Sequence, residues 1–495
     1  MKTATAKASL KKSMITTGSA LLLGAALLCT RCSNDDDSDG DTPPVGESFD
    51  LGNGSTAYKI NENTTLKYPN TYNLKGFVYV TSGAKLTIEP GVIIKGDKAS
   101  KGSLIVERGG QLIAAGTKER PIVFTSAQAK GSRKPGDWGG LILLGKAPNN
   151  SGDMSIEGGV ESKHGGTDAA DNSGVLSYVR VEFAGIEFSQ DNEINGITFG
   201  SVGSGTQVDH VQVSYSGDDS FEWFGGTVNA KYLIAFRGWD DDFDTDNGFS
   251  GKIQFALGVR DPQTGDKSAS NGFESDNNAD ATTGIPRTSA VFANVSLFGP
   301  IATPASYTDE SGVHGSPSGG PRFQAGLHLR RNTQLSIFNS LVAAFPIGLI
   351  IENDKSSATQ TEATNGSLNV TNCVIAGVVR PFQDKQYWAD NTVYSPNDAD
   401  TAFTPGYFRR AEGGNRTFAT LADLQLAGNP LNLAAPLAFP QSGSPIASGA
   451  AWTNAKAADA FFDKVSYIGA FAPTETPESS WASGWTNFDP QQTEY

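Results

Sequence analysis

Short strand-like segments of one kind recur through most of this chain. Five examples are LSYVRVEFAG, VDHVQVSYSG, FANVSLFGP, FNSLVAAFP and TNCVIAGVV, which are rich in β-branched or aromatic residues and end in turn residues. A repeat of roughly 20–30 residues built from short strands indicates a solenoid, because each unit can bury its apolar face only by stacking on its neighbours. The sequence therefore predicts an all-β fold, a parallel β-helix or β-solenoid in which each strand pairs with its equivalent one coil away.

The main alternative is a β-propeller, whose blades need roughly 40–50 residues and regularly spaced hairpins. The repeats here are shorter and less regular, so they favour coils. Long insertions such as residues 158–174 and 304–322 are rich in Gly, Ser, Asp and Pro, and they predict surface loops. We expect these long loops to lie on one face of the solenoid, where such loops often build a binding site.

Asparagine recurs at one position of the repeat. Asn294, Asn339 and Asn372 hold matching places in three of the units. Asparagines stacked at a fixed turn can hydrogen-bond one another from coil to coil, so the pattern predicts an asparagine ladder.

The stretch WDDDFDTDNG, residues 239–248, places five aspartates within seven positions. It aligns with GDDSFEWFGG, residues 217–226, at an offset of 22 residues, and with NGFESDNNA, residues 271–279, after a longer loop. The alignment predicts one inward column of phenylalanines and three outward columns of acids. The inward column is Phe221, Phe243 and Phe273, and the acidic columns are Glu187, Asp219 and Asp241; Glu222, Asp244 and Glu274; and Asp246 with Asp276.

Like charges in equivalent positions of adjacent coils would lie about 5 Å apart and destabilise the fold. Each pair would repel by roughly 1–4 kcal/mol, depending on its exposure. Exposure to water, shared protons or a bound cation can relieve this repulsion. Ca²⁺ suits such a site, since it takes about 6–8 oxygen ligands in a loose geometry. We therefore predict Ca²⁺ as a cofactor of these columns, with a solvated acidic face as the alternative.

Aromatic and basic side chains are interspersed with the acids. Trp223 and Trp239 flank the acidic segments, and Arg237 lies beside Trp239. We expect all three to bind a ligand such as a glycan, with packing of the two tryptophans under loops as the alternative.

The ends of the chain differ from its centre. Lysines precede an apolar run from Met14 to Leu28, which predicts a signal peptide. Cys32 follows this run and precedes SNDDDSDGD, a pattern that resembles the processing and export signal of bacterial surface lipoproteins, so it is the predicted lipidation site. Cys29 is the other candidate, and the alternative is an ordinary cleaved signal in which neither cysteine is lipidated. The predicted divisions are a signal peptide at 1–31, an acidic tether and N-terminal cap at 32–71, the parallel β-helix at 72–450, and a C-terminal packing segment at 451–495 that forms an aromatic cap. The formal net charge of −15 makes a nucleic-acid partner improbable.

Several long motifs resemble a family of large bacterial β-helix lipoproteins that is frequent in Bacteroidetes. They are GDWGGLILLGKAP, GGTDAADNSGVLSYVRVEFAG, GDDSFEWFGGTVNAKYLIAFRGWDDDFDTDNGFSG, SNGFESDN and GWTNFDPQ. The resemblance covers roughly residues 72–495. It implies a right-handed parallel β-helix, anchored by lipid in the outer membrane at the cell surface, and it implies no particular reaction.

Three functions fit this pattern. The first is a surface protein that binds an extracellular glycan or other polymer with the help of Ca²⁺, and that passes it to a nearby outer-membrane transporter. The second is a polysaccharide lyase or a glycoside hydrolase; a lyase would need an Arg or Lys as its base, and Arg237 and Lys231 lie close to the acids in the sequence. The third is a structural or adhesive spacer. No residue is assigned a catalytic role, and the membrane is reached through the lipid anchor only.

The anchor hypothesis predicts that Cys32→Ala releases the protein from the membrane fraction into the soluble fraction. Cell fractionation followed by immunoblotting measures this. Release by Cys29→Ala alone would assign the lipid to Cys29 instead. Retention of both variants in the membrane fraction would refute the lipoprotein hypothesis.

Overall fold

The computed structural model describes residues 46–189, 192–266, 269–302, 322–386, 388–389, 392–393 and 401–495. The predicted signal peptide, Cys29, Cys32 and the acidic run after Cys32 lie outside these residues. So does most of the insertion at 304–322.

Two stacked sheets of parallel strands form the body of the protein. Sheet A contains Ser48–Leu51, Thr64–Leu66, Thr71–Leu74, Lys85–Ile88, Ile93–Gly96, Gln111–Ala115, Ile122–Ser126, Gly174–Glu182, Gln207–Ser214, Asn229–Phe236, Lys252–Val259, Val291–Phe298, Ser336–Phe338, Leu341–Ala343, Asn369–Thr371, Val374–Ala376 and Arg416–Phe418. Sheet B contains Tyr58–Ile60, Phe77–Val80, Ser103–Val106, Leu141–Leu144, Ile197–Gly200, Phe221–Phe224, Phe243–Asp246, Phe273–Ser275, Ala325–Leu329, Ile347–Ile351 and Arg380–Gln383.

The chain alternates between the two sheets, and each strand pairs in parallel with the strand one coil away. This is the predicted right-handed parallel β-helix. Pairing already begins with Ser48–Leu51 against Thr71–Leu74, so the predicted start of the β-helix at residue 72 is too late.

The remaining elements are short. Antiparallel pairs join Met154–Ser155 to Lys163–His164, Glu187–Ser189 to Asn192–Glu193, Trp388–Ala389 to Thr392–Val393, and Leu426–Ala427 to Phe439–Pro440. The α-helices are Thr359–Thr364 and Phe403–Phe408, and 3-10 turns occupy Asp354–Ser356, Ala411–Gly413, Leu421–Leu424 and Pro490–Gln492. The α-helices of the described residues have six residues each, far short of what a bilayer span requires.

A bend divides each long strand of sheet A, and the residue at the bend has a positive φ. Tyr178, His210, Tyr232 and Phe255 hold this position in successive coils, and asparagine holds it in the later ones, where φ is 54° at Asn294, 52° at Asn339 and 53° at Asn372. Asparagine adopts this left-handed conformation more readily than most residues. The predicted matching of the three asparagines is therefore confirmed, and the bend explains it.

The side chains of these asparagines do not form the expected ladder. Asn339 instead exchanges two hydrogen bonds with the backbone of Ala451, and Asn294 donates to the carbonyl oxygen of Tyr467. Both partners belong to the C-terminal segment. The asparagines therefore attach this segment to the coils.

The C-terminal segment, residues 451–495, packs along the outer face of sheet A rather than over the last coil. Trp485 and Phe471 are buried there against apolar side chains of sheet A, including Phe236. At the far end the hydroxyl of Tyr495 donates to Glu182, 2.7 Å away. The aromatic residues of this segment thus cover the side of the solenoid, which corrects their prediction as a cap on its end.

The three phenylalanines of the predicted inward column stack in register. Phe221 pairs with Phe243, and Phe243 pairs with Phe273. The ring centroids lie 5.6 Å and 5.2 Å apart, and all three side chains are fully buried. The coil alignment on which the acidic columns depend is therefore confirmed at these positions.

Phe243→Ala should lower the free energy of unfolding by about 3–5 kcal/mol, because it removes a ring from the middle of the aromatic stack and leaves a cavity. Urea denaturation followed by circular dichroism measures this loss. The matched control is Trp239→Ala, whose ring is 41% exposed and whose loss should change stability by no more than about 0.5 kcal/mol. Equal effects of the two substitutions would contradict the assigned core.

Candidate functional site

The five clustered aspartates separate into different environments. Asp242 turns inward and forms a buried ion pair with Arg260, Oδ1 to Nη1 3.0 Å. Burial raises the pKa of Asp242 to about 6, and Arg260 limits that rise. Asp240 and Asp241 lie in the turn before the strand Phe243–Asp246, whereas Asp244 and Asp246 lie on the strand itself.

The outward side of sheet B carries a continuous group of carboxylates, which we call the acidic stripe. It comprises Asp218, Asp219, Glu222, Asp240, Asp241, Asp244, Asp246, Glu274 and Asp276. Register places Glu222 beside Asp244 and Asp244 beside Glu274, as the sequence predicted. The third predicted column also forms, because the backbone of Asp276 bonds to Thr245, next to Asp246.

The column of Asp219 and Asp241 has a structural role as well. Asp219 Oδ1 accepts a hydrogen bond from the backbone nitrogen of Asp241 at 2.7 Å, and Asp241 accepts one from Asn271 in the next coil. Asn271 in turn accepts one from Ala325 at 3.1 Å. One oxygen of each side chain thus supports the following turn.

Glu187 does not belong to that column, so this part of the alignment was wrong. It lies in an antiparallel pair, opposite Glu193, and its side chain is exposed. The position in register with Asp219 belongs to Asn195, two residues before Ile197, which pairs with Phe221. The hairpin inserted after Phe183 shifted the sequence alignment.

Three overlapping groups of carboxylates have the spacing of a metal site. They are Asp218, Asp219 and Asp240; Asp219, Glu222 and Asp244; and Asp241, Asp244 and Glu274. Within each group, one oxygen from every side chain lies within 4.8 Å of the others. Asp219 and Asp244 are each shared by two groups, so the groups form a row in which the first two lie between one pair of coils and the third reaches the next coil.

The stripe is largely buried, and its charges repel one another. Asp219 and Glu222 are only 7% and 9% exposed. Burial and then neighbouring carboxylates raise the pKa of Asp219, Glu222 and Asp244 well above their usual values. The same two causes raise the pKa of Asp246 to about 8, with Asp276 as its main charged neighbour.

Two buried oxygen atoms in or next to the group of Asp219, Glu222 and Asp244 lack hydrogen-bond partners. Among the described residues these atoms include Oδ1 of Asp244 and Oδ1 of Asn195. Asn195 is only 5% exposed, and its amide nitrogen contacts Glu222. An unpaired buried oxygen is costly, and a cation is one species that would satisfy it.

Basic side chains neutralise one end of the stripe. Arg330 contacts both Glu274 and Asp276, and Arg331 donates to Asp276 at 2.6 Å. Although burial opposes it, Arg330 and then His328 lower the pKa of Glu274 to about 2. Within the described part of the chain, no ion pair reaches Asp219, Glu222 or Asp244, so the positive charge is confined to one end.

His328 occupies the position in register with Glu274. Its Nε2 lies 3.0 Å from Glu352 Oε2, and its Nδ1 lies 3.5 Å from Glu274 Oε2. Burial alone would lower the pKa of His328, but the contacts with the two carboxylates outweigh burial and raise it. The column therefore changes from carboxylates to a histidine at this coil.

The predicted ligand-binding residues have three different locations. Trp223 is 1% exposed and stacks on Phe221 and Phe249, so its prediction as a ligand-binding ring was wrong. Trp239 is 41% exposed and remains a candidate. Arg237 pairs with Asp261 and stacks over Tyr215 at 4.7 Å, so its charge is already compensated.

The hypothesis of a lyase base at Lys231 is not supported by its position. Lys231 lies on sheet A, in the strand Asn229–Phe236, and pairs with Asp463 of the C-terminal segment at 2.7 Å. The acidic stripe lies on sheet B. Arg330 contacts the stripe directly, and the surrounding carboxylates raise its pKa even though burial opposes this, so it holds its proton firmly.

The sequence alignment missed Arg330, Arg331 and Asn195. The segment AGLHLRRN is in register with NGFESDN, but it has leucine at the phenylalanine position and follows a long insertion. A search for the next coil by apolar pattern alone, with Leu327 in place of Phe273, would have found the two arginines.

Comparison with known families agrees with this architecture. The model of the pectate-lyase like beta helix domain matches residues 58–412, well over half of the chain. The chain belongs to the pectate-lyase-like β-helix domain family. No curated protein and no solved structure matches it. Membership in the pectate-lyase-like β-helix family supports the fold and is compatible with either polysaccharide binding or lyase activity.

The raised pKa values predict how stability depends on pH. A carboxyl group whose folded pKa is raised stabilises the fold below its unfolded pKa of about 4, and this contribution is lost as pH rises through the folded pKa. In chelator, the melting temperature should therefore fall as pH rises from about 5 to about 9. Differential scanning calorimetry at constant ionic strength measures this.

The matched comparison is Asp244→Asn, which removes one coupled carboxylate and should flatten the decline. Two results would show that the stripe is well solvated: a melting temperature in chelator that is constant across this pH range, or a melting temperature that falls as steeply with pH in the variant as in the parent protein.

Proposed function

We propose that this protein is a glycan-binding β-helix whose acidic stripe holds Ca²⁺, with the ions also contacting oxygens of the sugar. The observation that carries the proposal is the group formed by Asp219, Glu222 and Asp244. Their oxygens lie within 4.8 Å of one another, largely buried. Arginines neutralise the other end of the stripe, and a cation would do the same here.

The donor set favours Ca²⁺ among common cations. Carboxylate and amide oxygens are hard ligands, and Ca²⁺ accepts them in an irregular shell. Mg²⁺ requires a stricter octahedral shell and loses water reluctantly. The group of Asp219, Glu222 and Asp244 offers three carboxylates, and Asn195 beside Glu222 offers an amide oxygen. Oxygens from water or a ligand would complete the shell of about 6–8.

A repeating polymer fits the row better than a single small molecule. The three carboxylate groups together span three successive coils and share Asp219 and Asp244. Ions in such a row would contact several units of one chain, and the exposed ring of Trp239 offers an apolar surface beside them. Family membership is compatible with a polysaccharide as that polymer.

Lyase activity is the less supported alternative. It requires a base close to the cation, and neither Arg237 nor Lys231 has the position for that role. Arg330 has the position, but its raised pKa disfavours proton removal.

We also propose that the protein acts at the cell surface, anchored in the outer membrane through Cys32. A glycan bound there could be passed to an outer-membrane transporter. The support is the sequence of the first 40 residues, with its lysines, its apolar run and the acidic segment after Cys32.

Asp244→Asn should abolish the stabilisation by Ca²⁺, because Asp244 belongs to two of the three groups. At about a hundredfold excess over the dissociation constant, a bound ion would raise the free energy of unfolding by about 2.7 kcal/mol. The parent protein should therefore melt several degrees higher in Ca²⁺ than in chelator, and more so than in Mg²⁺. The variant without ions should be at least as stable as the parent, since a repelling charge is gone.

The matched control is Glu187→Gln, which removes an exposed carboxylate outside the stripe and should leave the Ca²⁺ effect intact. A glycan array with and without chelator then tests the ligand. Asp244→Asn should no longer bind the glycans that the parent binds only in Ca²⁺. The parent should bind these glycans without cleaving them. Identical melting in Ca²⁺, Mg²⁺ and chelator would refute the proposal and favour a spacer.

A further inference from the structure

A cleft at the C-terminal end of the solenoid lies outside the acidic stripe. It has a volume of about 710 Å³ and is bordered by both α-helices, the strand Asn369–Thr371 and the C-terminal segment at Thr453 and Asn454. A volume of this size is within the range of small-molecule sites, roughly 300–1,000 Å³. The cleft shares no residue with the stripe.

Gly406 forms part of the wall of this cleft, in the middle of the helix Phe403–Phe408. Glycine in a helix interior is destabilising relative to alanine. Its φ is not among the positive values of this chain, and a β-carbon built on it would meet no atom within 4 Å. Neither the backbone nor the packing requires glycine here. Its missing side chain leaves this wall of the cleft bare.

Arg410 presents a fixed array of donors to the cleft. Its guanidinium lies 3.7 Å from the ring centre of Tyr407, and it donates to the carbonyl oxygens of Tyr407 and Val370. These contacts hold the plane of the guanidinium, and they use only part of its five N–H groups. The side chain remains 20% exposed, so a ligand in the cleft can reach it.

An acceptor and an aromatic surface complete the lining. Glu412 is 77% exposed, and its Oε1 lies 3.9 Å from Nε of Arg410. The partly exposed ring of Phe403 borders the same cleft, stacked on Tyr407 with a centroid distance of 5.9 Å. The amide of Asn454 adds a further polar group.

We propose that this cleft binds a neutral sugar unit. Neighbouring hydroxyl groups both donate and accept hydrogen bonds, so one pair of hydroxyls can use Arg410 and Glu412 together. A carboxylate or phosphate would only accept, and Glu412 would repel it. A cation would be repelled by Arg410. The apolar face of a sugar ring would pack on Phe403, as in other sites that combine an aromatic surface with a few oriented polar groups.

The test uses Gly406→Trp, which fills the cleft, and Gly406→Ala as the matched control. Neutral and uronic oligosaccharides are first screened on an array in chelator, which excludes any contribution of cations at the stripe. Isothermal titration with the best neutral trisaccharide should then show binding at least about tenfold weaker for Gly406→Trp and within about twofold of the parent for Gly406→Ala.

Thr453→Trp blocks the cleft from its other wall and should have the same effect, which keeps the test valid if Gly406→Trp melts early. Three outcomes would overturn the inference: no neutral sugar binds in chelator, both tryptophan variants bind like the parent, or a uronic trisaccharide binds more tightly than the neutral one. The Ca²⁺ response of Asp244→Asn is independent of all three outcomes, so the proposals for the cleft and for the stripe can be refuted separately.

Discussion

In-register stacking is the constraint on which the rest of this structure depends. A parallel β-helix places equivalent residues of successive coils about 4.8 Å apart. A residue type that recurs at one position therefore contacts the same residue type in the next coil. For Phe221, Phe243 and Phe273 this is favourable, because it builds a dry aromatic stack. For Glu222, Asp244 and Glu274 it is unfavourable, because it builds a column of charge.

The protein relieves that charge in several ways. Asp242 turns inward to Arg260, and the arginines of the later coil neutralise Glu274 and Asp276. One oxygen of Asp219 accepts a backbone hydrogen bond. Asp219, Glu222 and Asp244 remain without a basic partner in the described residues, and burial raises their pKa values. The uncompensated negative charge of these three carboxylates is the physical reason to expect a cation.

The parallel β-helix and the register of its central coils could be predicted from the sequence, because the repeats, the β-branched residues and the matching acidic motifs indicate both. Outward positions could be predicted only as far as the register was known. Glu187 was misplaced because a hairpin adds residues, and the arginines of AGLHLRRN were missed because an insertion separates them from their neighbours. Trp223 could have been placed correctly, because it lies two residues after the inward Phe221 and strand alternation therefore puts both rings on the inner face.

The C-terminal segment connects the cleft with the earlier coils of sheet A. It borders the cleft at Thr453 and Asn454, and it follows sheet A to Tyr495 and Glu182. No alternating pattern in the sequence predicts such a path, because its contacts are side-chain hydrogen bonds, an ion pair and rings set against bends of the coils.

Anomalous diffraction from crystals grown in millimolar Ca²⁺ shows directly whether a cation occupies the stripe. We expect an anomalous peak among the oxygens of Asp219, Glu222 and Asp244, at Ca²⁺–oxygen distances of about 2.3–2.6 Å. Water molecules alone between these three side chains, under the same conditions and at neutral pH, would contradict it.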